Sequence, residues 1–222
     1  TRCYETAFWY SGPIEEFGSP RNDLLFHPPT ALWAQICEKL GVDPVKKLVL
    51  YAPTFRADGS LEPYSLDIPR VLDAFDRRFG GSHCMLLRLH PNLDAKSDAL
   101  SCDNLTTFNA TRYPDMQELL AVADVVITDY SSLMFDFALT GRPCFQFATD
   151  IAAYRQDRSF NFSLDALPFP LAENNDQLLQ AIAAYDPEIA RKNWQAFARE
   201  NGICEDGHAA KRCADWILKH MH

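Results

Sequence analysis

The stretch VVITDYSSLMFDFALTGRPCFQF runs from Val125 to Phe147 and indicates the fold of the chain. It begins with the apolar run VVIT, continues with a helical pattern from Ser131 to Leu139, and ends with a second apolar run, CFQF. Strands that are apolar throughout, without alternation, are buried on both faces, as in a parallel sheet between two layers of helices. We therefore expect a strand–helix–strand unit in which two serines stand where the first strand gives way to the helix.

The same order of short apolar runs and helical patterns extends over most of the chain. Apolar runs bounded by turn residues predict strands, and apolar residues three or four positions apart predict helices. Further strands are predicted at KLVLYAP (47–53), CMLLRLHP (84–91) and, more weakly, LTTFN (105–109). Further helices are predicted at 31–40, 68–79, 116–123, 178–182, 189–199 and 209–220. The predicted class is therefore α/β, a Rossmann-like domain built on a parallel sheet.

Composition limits the number of domains and the kinds of partner. With 222 residues, 47% of them hydrophobic, the chain can form one sizeable core. Residues 1–29 contain four prolines and little periodicity, so we predict a linker remnant there, following a missing amino-terminal domain, and a single domain from 30 to 222. The net charge of −9 disfavours broad binding of nucleic acid or anionic lipid.

Cysteine and motif patterns argue against several further classes. The seven cysteines are scattered and form no CxxC pair, so we predict neither disulfides nor a metal site, and expect most of them in the core. No apolar run approaches the roughly 20 residues that cross a bilayer. DxD, GxGxxG, GxxxxGK(S/T) and GxSxG are all absent, so metal-first transferases, dinucleotide-binding enzymes, P-loop enzymes and serine hydrolases lack their signatures. No cofactor is predicted.

Chemically active side chains follow the predicted strands. Open parallel sheets bind ligands at the carboxyl ends of their strands, and these ends lie at one edge of the sheet. The residues that follow the strands carry guanidinium, imidazole, hydroxyl and carboxylate groups, which suit a phosphorylated ligand. They are Arg56, Arg88, His90, Thr128, Asp129, Ser131, Ser132, Thr149, Asp150, Tyr154, Arg155 and Arg158.

The position of the two serines suits an anion. A helix that starts at Ser131 or Ser132 exposes unpaired backbone N–H groups, and serine hydroxyls can donate to the same anion. The alternative is that the serines, or Asp129, only cap the helix. Because Arg56 and Arg88 are predicted at the same edge, we favour a phosphate site.

Three further polar residues have a functional and a structural interpretation each. His90 lies two residues after Arg88, so the two side chains share a face of the strand. A histidine beside a diphosphate could neutralise the leaving phosphate or donate a proton to it, or it could only bond to the backbone. Asp150 could accept a hydrogen bond from a ligand hydroxyl, or it could cap the following turn. Arg158 is either a ligand contact or an ordinary surface charge.

Several motifs occur in an order that resembles one family. GSPRND (18–23), LYAPTFR (50–56), LRLHPN (87–92), the stretch 113–143 that contains TDYSS, and DIAAYRQDRSF (150–160) are similar to motifs of the CDP-glycerol glycerophosphotransferases. This family includes the teichoic-acid primases and polymerases. GICEDGHAAKR (202–212) resembles the family's closing helix region. The resemblance spans nearly the whole chain, and TDYSS together with YAPTFR and LHP makes it specific.

The resemblance implies a two-domain transferase of the GT-B type, of which this chain is the carboxyl-terminal half. That domain would bind the CDP part of CDP-glycerol or a related CDP-polyol, and the missing amino-terminal domain would contribute acceptor contacts and another catalytic histidine. The acceptor would be lipid-linked or a polysaccharide in cell-wall or capsule synthesis. Such an enzyme would be cytoplasmic and peripheral at the inner membrane face. On matching positions, the resemblance implies contacts with the nucleotide and its phosphates for Arg56, Arg88, Ser131, Ser132 and Asp150. It implies a catalytic role for His90, beside the diphosphate.

Two departures from the family pattern leave alternatives open. Family members commonly carry R-G-F where this chain has Arg158, Ser159 and Phe160, and a following G-P pair is replaced by LPFPLA (167–172). The transferred alcohol is therefore open, with ribitol or another polyol phosphate as alternatives to glycerol. Two other classes of protein also stay open. One is a GT-B glycosyltransferase or epimerase that uses a UDP-sugar, and the other is a nucleotide-binding or interaction module without catalysis.

Overall fold

A parallel six-stranded sheet forms the centre of the domain. The computed structural model describes residues 2–56, 64–90, 105–152, 154 and 164–221. Within these ranges all strand pairs are parallel, and the strand order is β3-β2-β1-β4-β5-β6. The strands are β1 (Lys47–Tyr51), β2 (His83–Leu87), β3 (Thr107–Asn109), β4 (Val125–Thr128), β5 (Cys144–Phe147) and β6 (Leu171–Ala172). The predicted α/β class with a parallel sheet is confirmed.

Helices cover both faces of the sheet. They are α1 (Arg2–Ala7), α2 (Asp23–Phe26), α3 (Leu32–Leu40), α4 (Ile68–Phe79), α5 (Met116–Val122), α6 (Leu133–Ala138), α7 (Asn175–Ala184), α8 (Pro187–Glu200) and α9 (Ala209–His220). Successive side chains of β1 point to opposite faces, so Leu50 packs with α3, α5 and α6 on one side, and Val49 packs with α4 and α7 on the other. Burial on both faces explains why the strands read as continuous apolar runs.

The order in which the chain adds strands to the sheet reverses between β1 and β4, although the strands themselves stay parallel. From β1 the chain proceeds outward to β2 and β3, and it then returns to place β4 on the other side of β1. Open α/β sheets bind ligands in the crevice outside the carboxyl ends of the strands at such a switch point. The register brings the three central strands level, because Tyr51 pairs with Leu87 of β2 and with Ile127 of β4. The loops that follow β1, β2 and β4 therefore leave the sheet side by side.

Some element boundaries differ from the sequence predictions for local reasons. The helix predicted from Ser131 begins at Leu133, because the two serines form the turn that precedes it. The strand predicted to reach Pro53 ends at Tyr51, although Ala52 still donates to the carbonyl of Ile127 at 3.0 Å. The sequence analysis missed β6, since a two-residue strand leaves no apolar run, and it also missed the short helices α1 and α2.

The segment before residue 30 contributes to the packing of the domain. A 3-10 turn at Pro20–Asn22 leads into α2, and Asn22 and Leu25 are both buried. The carboxylate of Asp23 accepts hydrogen bonds from the backbone N–H groups of Ala209 and Ala210, at 2.9 and 2.8 Å. These are the first residues of α9, so a residue near one end of the chain caps a helix near the other. The start of the domain at residue 30 therefore stays a prediction.

No helix in the described ranges has both the length and the apolar character needed to cross a bilayer.

Candidate functional site

A cleft of about 600 Å³ opens at the switch point of the sheet. The loops that follow β1, β2 and β4 form its walls, with Met116 of α5 and Tyr154 at its margins. Sheet hydrogen bonding holds the first residue of the β2 loop, because Arg88 donates from its backbone to Tyr51 at 2.8 Å. The lining residues are Ala52, Pro53, Thr54, Phe55, Arg88, Leu89, His90, Met116, Tyr130, Ser131, Ser132, Leu133 and Tyr154.

Arg88 brings an uncompensated positive charge to this cleft. Its Nη1 donates to the backbone carbonyls of Thr111 and Leu89, the latter at 3.3 Å. Its Nε is buried and has no hydrogen-bond partner, and no carboxylate among the described residues pairs with the guanidinium. Burial lowers the pKa of Arg88. Since a partly buried charge without a partner is costly, an anion bound in the cleft would stabilise it.

His90 lies on the same wall of the cleft as Arg88, as the sequence spacing predicts. The residue is exposed, and its ring centroid lies 5.1 Å from that of Phe55, which follows β1. The catalytic role of His90 stays a prediction.

The two serines form the turn that leads from β4 into α6, and both line the cleft. The hydroxyl of Ser131 accepts from the backbone N–H of Leu133 at 3.4 Å, which is a long hydrogen bond. Ser132 is the residue before the helix, and its side chain makes no capping bond. The hydroxyl of Ser131 therefore caps the helix weakly, as the alternative interpretation predicts. The side chain of Ser132 makes no capping hydrogen bond to the helix.

Arg56 does not line the cleft and lies beneath it in an ion-pair cluster. Its Nε and Nη2 bond to the carboxylate of Asp150 at 2.6 and 2.9 Å, and Nη2 lies 2.8 Å from Oδ2 of Asp129. Its Nη1 donates to the carbonyl and the hydroxyl of Thr54 at 2.8 and 2.7 Å. Burial by itself lowers the pKa of Arg56, but the hydrogen bonds and charges of Asp150 and Asp129 raise it above its usual value. Only 8% of the residue is exposed.

The other predicted polar residues near β4 and β5 also lie off the cleft wall. Thr128 is fully buried, and its hydroxyl donates to the carbonyl of Ala52 at 2.7 Å. Asp129 is buried and accepts from the backbone N–H of Thr54 at 2.8 Å. Thr149 and Asp150 are partly exposed but are not among the lining residues. Their predicted contacts with a ligand stay predictions, and Arg158 lies outside the described residues.

Two tyrosines form part of the wall, of which the sequence analysis included Tyr154 among the strand-end residues but gave Tyr130 no role. The rings of Tyr130 and Tyr154 are stacked, with centroids 3.8 Å apart and an interplanar angle of 19°. The hydroxyl of Tyr130 donates to Asp150 at 2.8 Å, and burial together with this bond raises the pKa of Tyr130. The position of Tyr130 inside the TDYSS motif was the available signal.

No cysteine is among the residues that the structure shows lining the cleft. Cys37, Cys84 and Cys144 are buried, as predicted for core cysteines, and burial raises the pKa of Cys84 to about 12. Cys204 is exposed. In the part of the chain that the structure describes, no group of three histidine, cysteine or carboxylate side chains could hold a metal ion.

Comparison with known proteins relates the chain to wall-polymer enzymes. It is 31% identical over 234 aligned residues to a teichoic acid glycerol-phosphate transferase of Staphylococcus aureus, an alignment that covers 99% of this chain and 58% of the relative. It is 34% identical to a teichoic acid poly(glycerol phosphate) polymerase of Staphylococcus epidermidis and 33% identical to a teichoic acid poly(ribitol-phosphate) polymerase of Bacillus spizizenii. These alignments cover 99% and 90% of this chain, and 32% and 33% of the two relatives. The chain thus spans little more than half the length of the first relative, and about a third of the other two.

The same relation appears among solved structures. The wall teichoic acid polymerase TagF superposes with a TM-score of 0.78 at 29% identity, covering 98% of this chain and 54% of that chain. A UDP-GlcNAc 2-epimerase from Neisseria meningitidis superposes with a TM-score of 0.53 at 15% identity, covering 92% of this chain and 55% of that chain, a likeness that concerns the fold alone. The family model described as CDP-Glycerol:Poly(glycerophosphate) glycerophosphotransferase matches residues 1–219. A match over nearly the whole chain shows that this protein belongs to the CDP-glycerol:poly(glycerophosphate) glycerophosphotransferase family.

Proposed function

We propose that this chain is the donor-binding half of a transferase that moves glycerol phosphate, or a related polyol phosphate, from a CDP-alcohol to a lipid-linked or polysaccharide acceptor. The family and the names of its relatives support the transfer of glycerol or ribitol phosphate in wall-polymer synthesis. The observation that carries the proposal is Arg88, a partly buried arginine without a carboxylate partner among the described residues, in a cleft at the switch point.

The proposed reaction displaces CMP from the diphosphate of the donor. The oxygen of an acceptor hydroxyl forms a bond to the phosphorus that carries the alcohol, while the bond from that phosphorus to the bridging oxygen breaks. The bridging oxygen leaves with CMP, so negative charge develops on it. In this proposal Arg88 and the hydroxyl of Ser132, which line the cleft, would stabilise charge on the phosphates, and His90 would donate a proton to the leaving group.

The acceptor hydroxyl must also lose its proton to a base, and none of the residues named above is assigned that role. We propose that the remaining half of the longer protein supplies it, together with the acceptor contacts, since the relatives are about twice as long as the matched region or longer. A lipid-linked acceptor would place the whole enzyme peripherally at the cytoplasmic face of the membrane.

The donor proposal predicts selective nucleotide binding that depends on Arg88. Titration calorimetry of the 222-residue chain with CDP-glycerol, CDP-ribitol and UDP-GlcNAc should give the higher affinity for a CDP-alcohol. Arg88→Gln should lower that affinity about tenfold or more, because a charge-assisted hydrogen bond to phosphate is lost. The matched control is Arg77→Gln, which removes an exposed arginine that pairs with Asp73 on α4.

Two results would contradict the donor proposal. One is the absence of binding of any CDP-alcohol by the wild-type chain, which would favour an interaction module. The other is an equal loss of affinity in the Arg88 and Arg77 variants, which would show that the arginine in the cleft has no special part. A preference for UDP-GlcNAc would favour the UDP-sugar alternative.

His90 is predicted to act in turnover more than in binding. In the full-length enzyme, His90→Ala should lower kcat by about 100-fold or more, as is typical when a general acid is removed, while the Kd of CDP-glycerol changes little. His220→Ala, at the exposed end of α9, serves as the control. Near-normal turnover of the His90 variant would remove the catalytic assignment and leave the binding proposal standing.

A further inference from the structure

We infer that Arg56 is a positioning residue that acts through Asp129, Asp150 and Tyr130, and is not itself a ligand of the donor phosphates. This inference rests on the proposed function, because it concerns how the same cleft holds a CDP-alcohol. It also replaces the direct phosphate contact that the family resemblance implies for Arg56.

The charges in the cluster leave Arg56 little attraction for a phosphate. One guanidinium faces two carboxylates, Asp129 and Asp150, within 2.9 Å. Each of its three nitrogens already donates to a protein oxygen. Arg88 is the opposite case, since it lines the cleft and pairs with no carboxylate among the described residues. Of the two arginines that follow β1 and β2, only Arg88 thus offers an uncompensated charge to an anion.

The contacts of Arg56 join the loops that follow three strands. Arg56 and Thr54 follow β1, Asp129 follows β4, and Asp150 follows β5. Thr54 adds to the connection, because its hydroxyl donates to Oδ2 of Asp129 at 3.0 Å. The four side chains therefore connect the loops that follow β1, β4 and β5 across the switch point.

Tyr130 transmits this arrangement to the wall of the cleft. Its backbone N–H donates to Oδ1 of Asp129 at 2.6 Å, and its hydroxyl donates to Oδ1 of Asp150 at 2.8 Å. Both carboxylates that pair with Arg56 thus fix Tyr130, which lines the cleft and whose ring stacks on that of Tyr154. Without the guanidinium, the buried carboxylate of Asp129 and the partly buried carboxylate of Asp150 would repel one another and lose their cationic partner, and this wall would shift.

The test compares CDP with cytidine, which lacks phosphate, on the wild-type chain and on two variants. Calorimetry gives the affinity for CDP, and ligand-observed NMR gives the weaker affinity for cytidine. In this proposal the nucleoside packs against the stacked rings of Tyr130 and Tyr154, so Arg56→Gln, which shifts them, should weaken both ligands by a similar factor of about ten. Arg88→Gln should weaken CDP by about tenfold and leave cytidine within about twofold of wild type.

A double-mutant cycle with Tyr130→Phe tests whether Arg56 acts through Tyr130. That variant removes the tyrosine hydroxyl, which donates to Asp150, and keeps the aromatic ring. If the two residues act as a unit, Tyr130→Phe should lower CDP affinity in the wild-type background and add less than about twofold in the Arg56→Gln background. If Arg56→Gln does not fold, Tyr130→Phe alone decides the matter, since it should weaken CDP and cytidine equally.

Selective loss of CDP affinity in Arg56→Gln, with cytidine unchanged, would overturn the inference. Additive losses in the cycle, or selective loss of CDP in Tyr130→Phe, would do the same. These failures differ from failure of the proposed function, which would appear as a wild-type chain that does not bind CDP at all.

Discussion

At the scale of single residues, the two arginines near the cleft differ in what surrounds them. Arg56 is held by two carboxylates, and its pKa is raised, whereas Arg88 bonds to carbonyl oxygens of the described residues, and its pKa is lowered by burial. The same residue type at equivalent strand ends is therefore paired with carboxylates in one case and, among the described residues, with none in the other.

Asp150 provides a test of this cluster through the pH dependence of stability. Burial raises its pKa, but the hydrogen bonds from Arg56 and Tyr130 lower it further than burial raises it. A carboxyl with a lowered folded-state pKa stabilises the fold above its unfolded pKa of about 4, and this contribution is lost as pH falls through the folded value. Asp150→Asn should therefore be less stable than wild type near neutral pH, and the difference should narrow below about pH 4.

Urea unfolding at several pH values measures this difference. Asp176→Asn, which removes an exposed carboxylate paired with Arg70, should show little difference from wild type across the range. A stability difference for Asp150→Asn that does not change with pH would mean that the ionised carboxylate contributes nothing through its charge.

At the scale of elements, α2 and the turn before α9 meet at a glycine. Gly207 is buried, has a φ of +77°, and a side-chain carbon added there would lie 2.8 Å from Cβ of Phe26. The rings of His27 and His208 stack beside it, with centroids 5.6 Å apart. The close approach of these two segments therefore depends on the absence of a side chain at Gly207.

Gly207→Ala should be more destabilising than an alanine at another left-handed glycine. Gly202 has a φ of +65° but no atom within 4 Å of the added carbon, so Gly202→Ala measures the backbone strain alone, about 1 kcal/mol. Gly207→Ala should cost about 1–3 kcal/mol more, since it adds a steric clash against Phe26. Chemical unfolding of both variants gives the comparison, and equal losses would show that the segments separate without cost.

At the scale of the whole molecule, the two ends of the chain are fastened to each other. Glu205 accepts from the backbone N–H of Ser19 at 2.9 Å, and Arg212 donates to the carbonyl of Phe17 at 2.8 Å. Asp23 caps α9, and Leu25 enters the core beside α3 and α5. The sequence motifs GSPRND and GICEDGHAAKR, which lie far apart in the chain, therefore meet in one place.

Truncation tests the predicted domain boundary. A chain of residues 30–222 should be less stable than the full chain by several kcal/mol, because it loses a buried leucine, worth about 2–5 kcal/mol, and a helix cap, worth about 1 kcal/mol. A chain of residues 14–222 keeps these contacts and should match the full chain. Thermal unfolding distinguishes the two, and equal melting temperatures for 30–222 and 14–222 would support the boundary at residue 30.

The sequence by itself determined the α/β class and the edge of the sheet that carries the cleft. Continuous apolar runs show which strands are buried on both faces, and a parallel sheet directs all their carboxyl ends to one side. Arg88, His90, Ser131 and Ser132 were assigned to that edge from spacing alone, and all four line the cleft. The sequence analysis did not predict the short helix that contains Leu25, because a four-residue helix leaves little periodicity.

Only the tertiary structure decided which charges neutralise one another. Asp129 and Asp150 stand 73 and 94 positions after Arg56 in the chain, and no local pattern reports a contact over such a separation. The strand order 3-2-1-4-5-6 brings the ends of β1, β4 and β5 together, and with them the guanidinium and its two carboxylates. Local periodicity follows from backbone geometry, whereas ion pairing depends on distances in space that the assembled sheet alone sets.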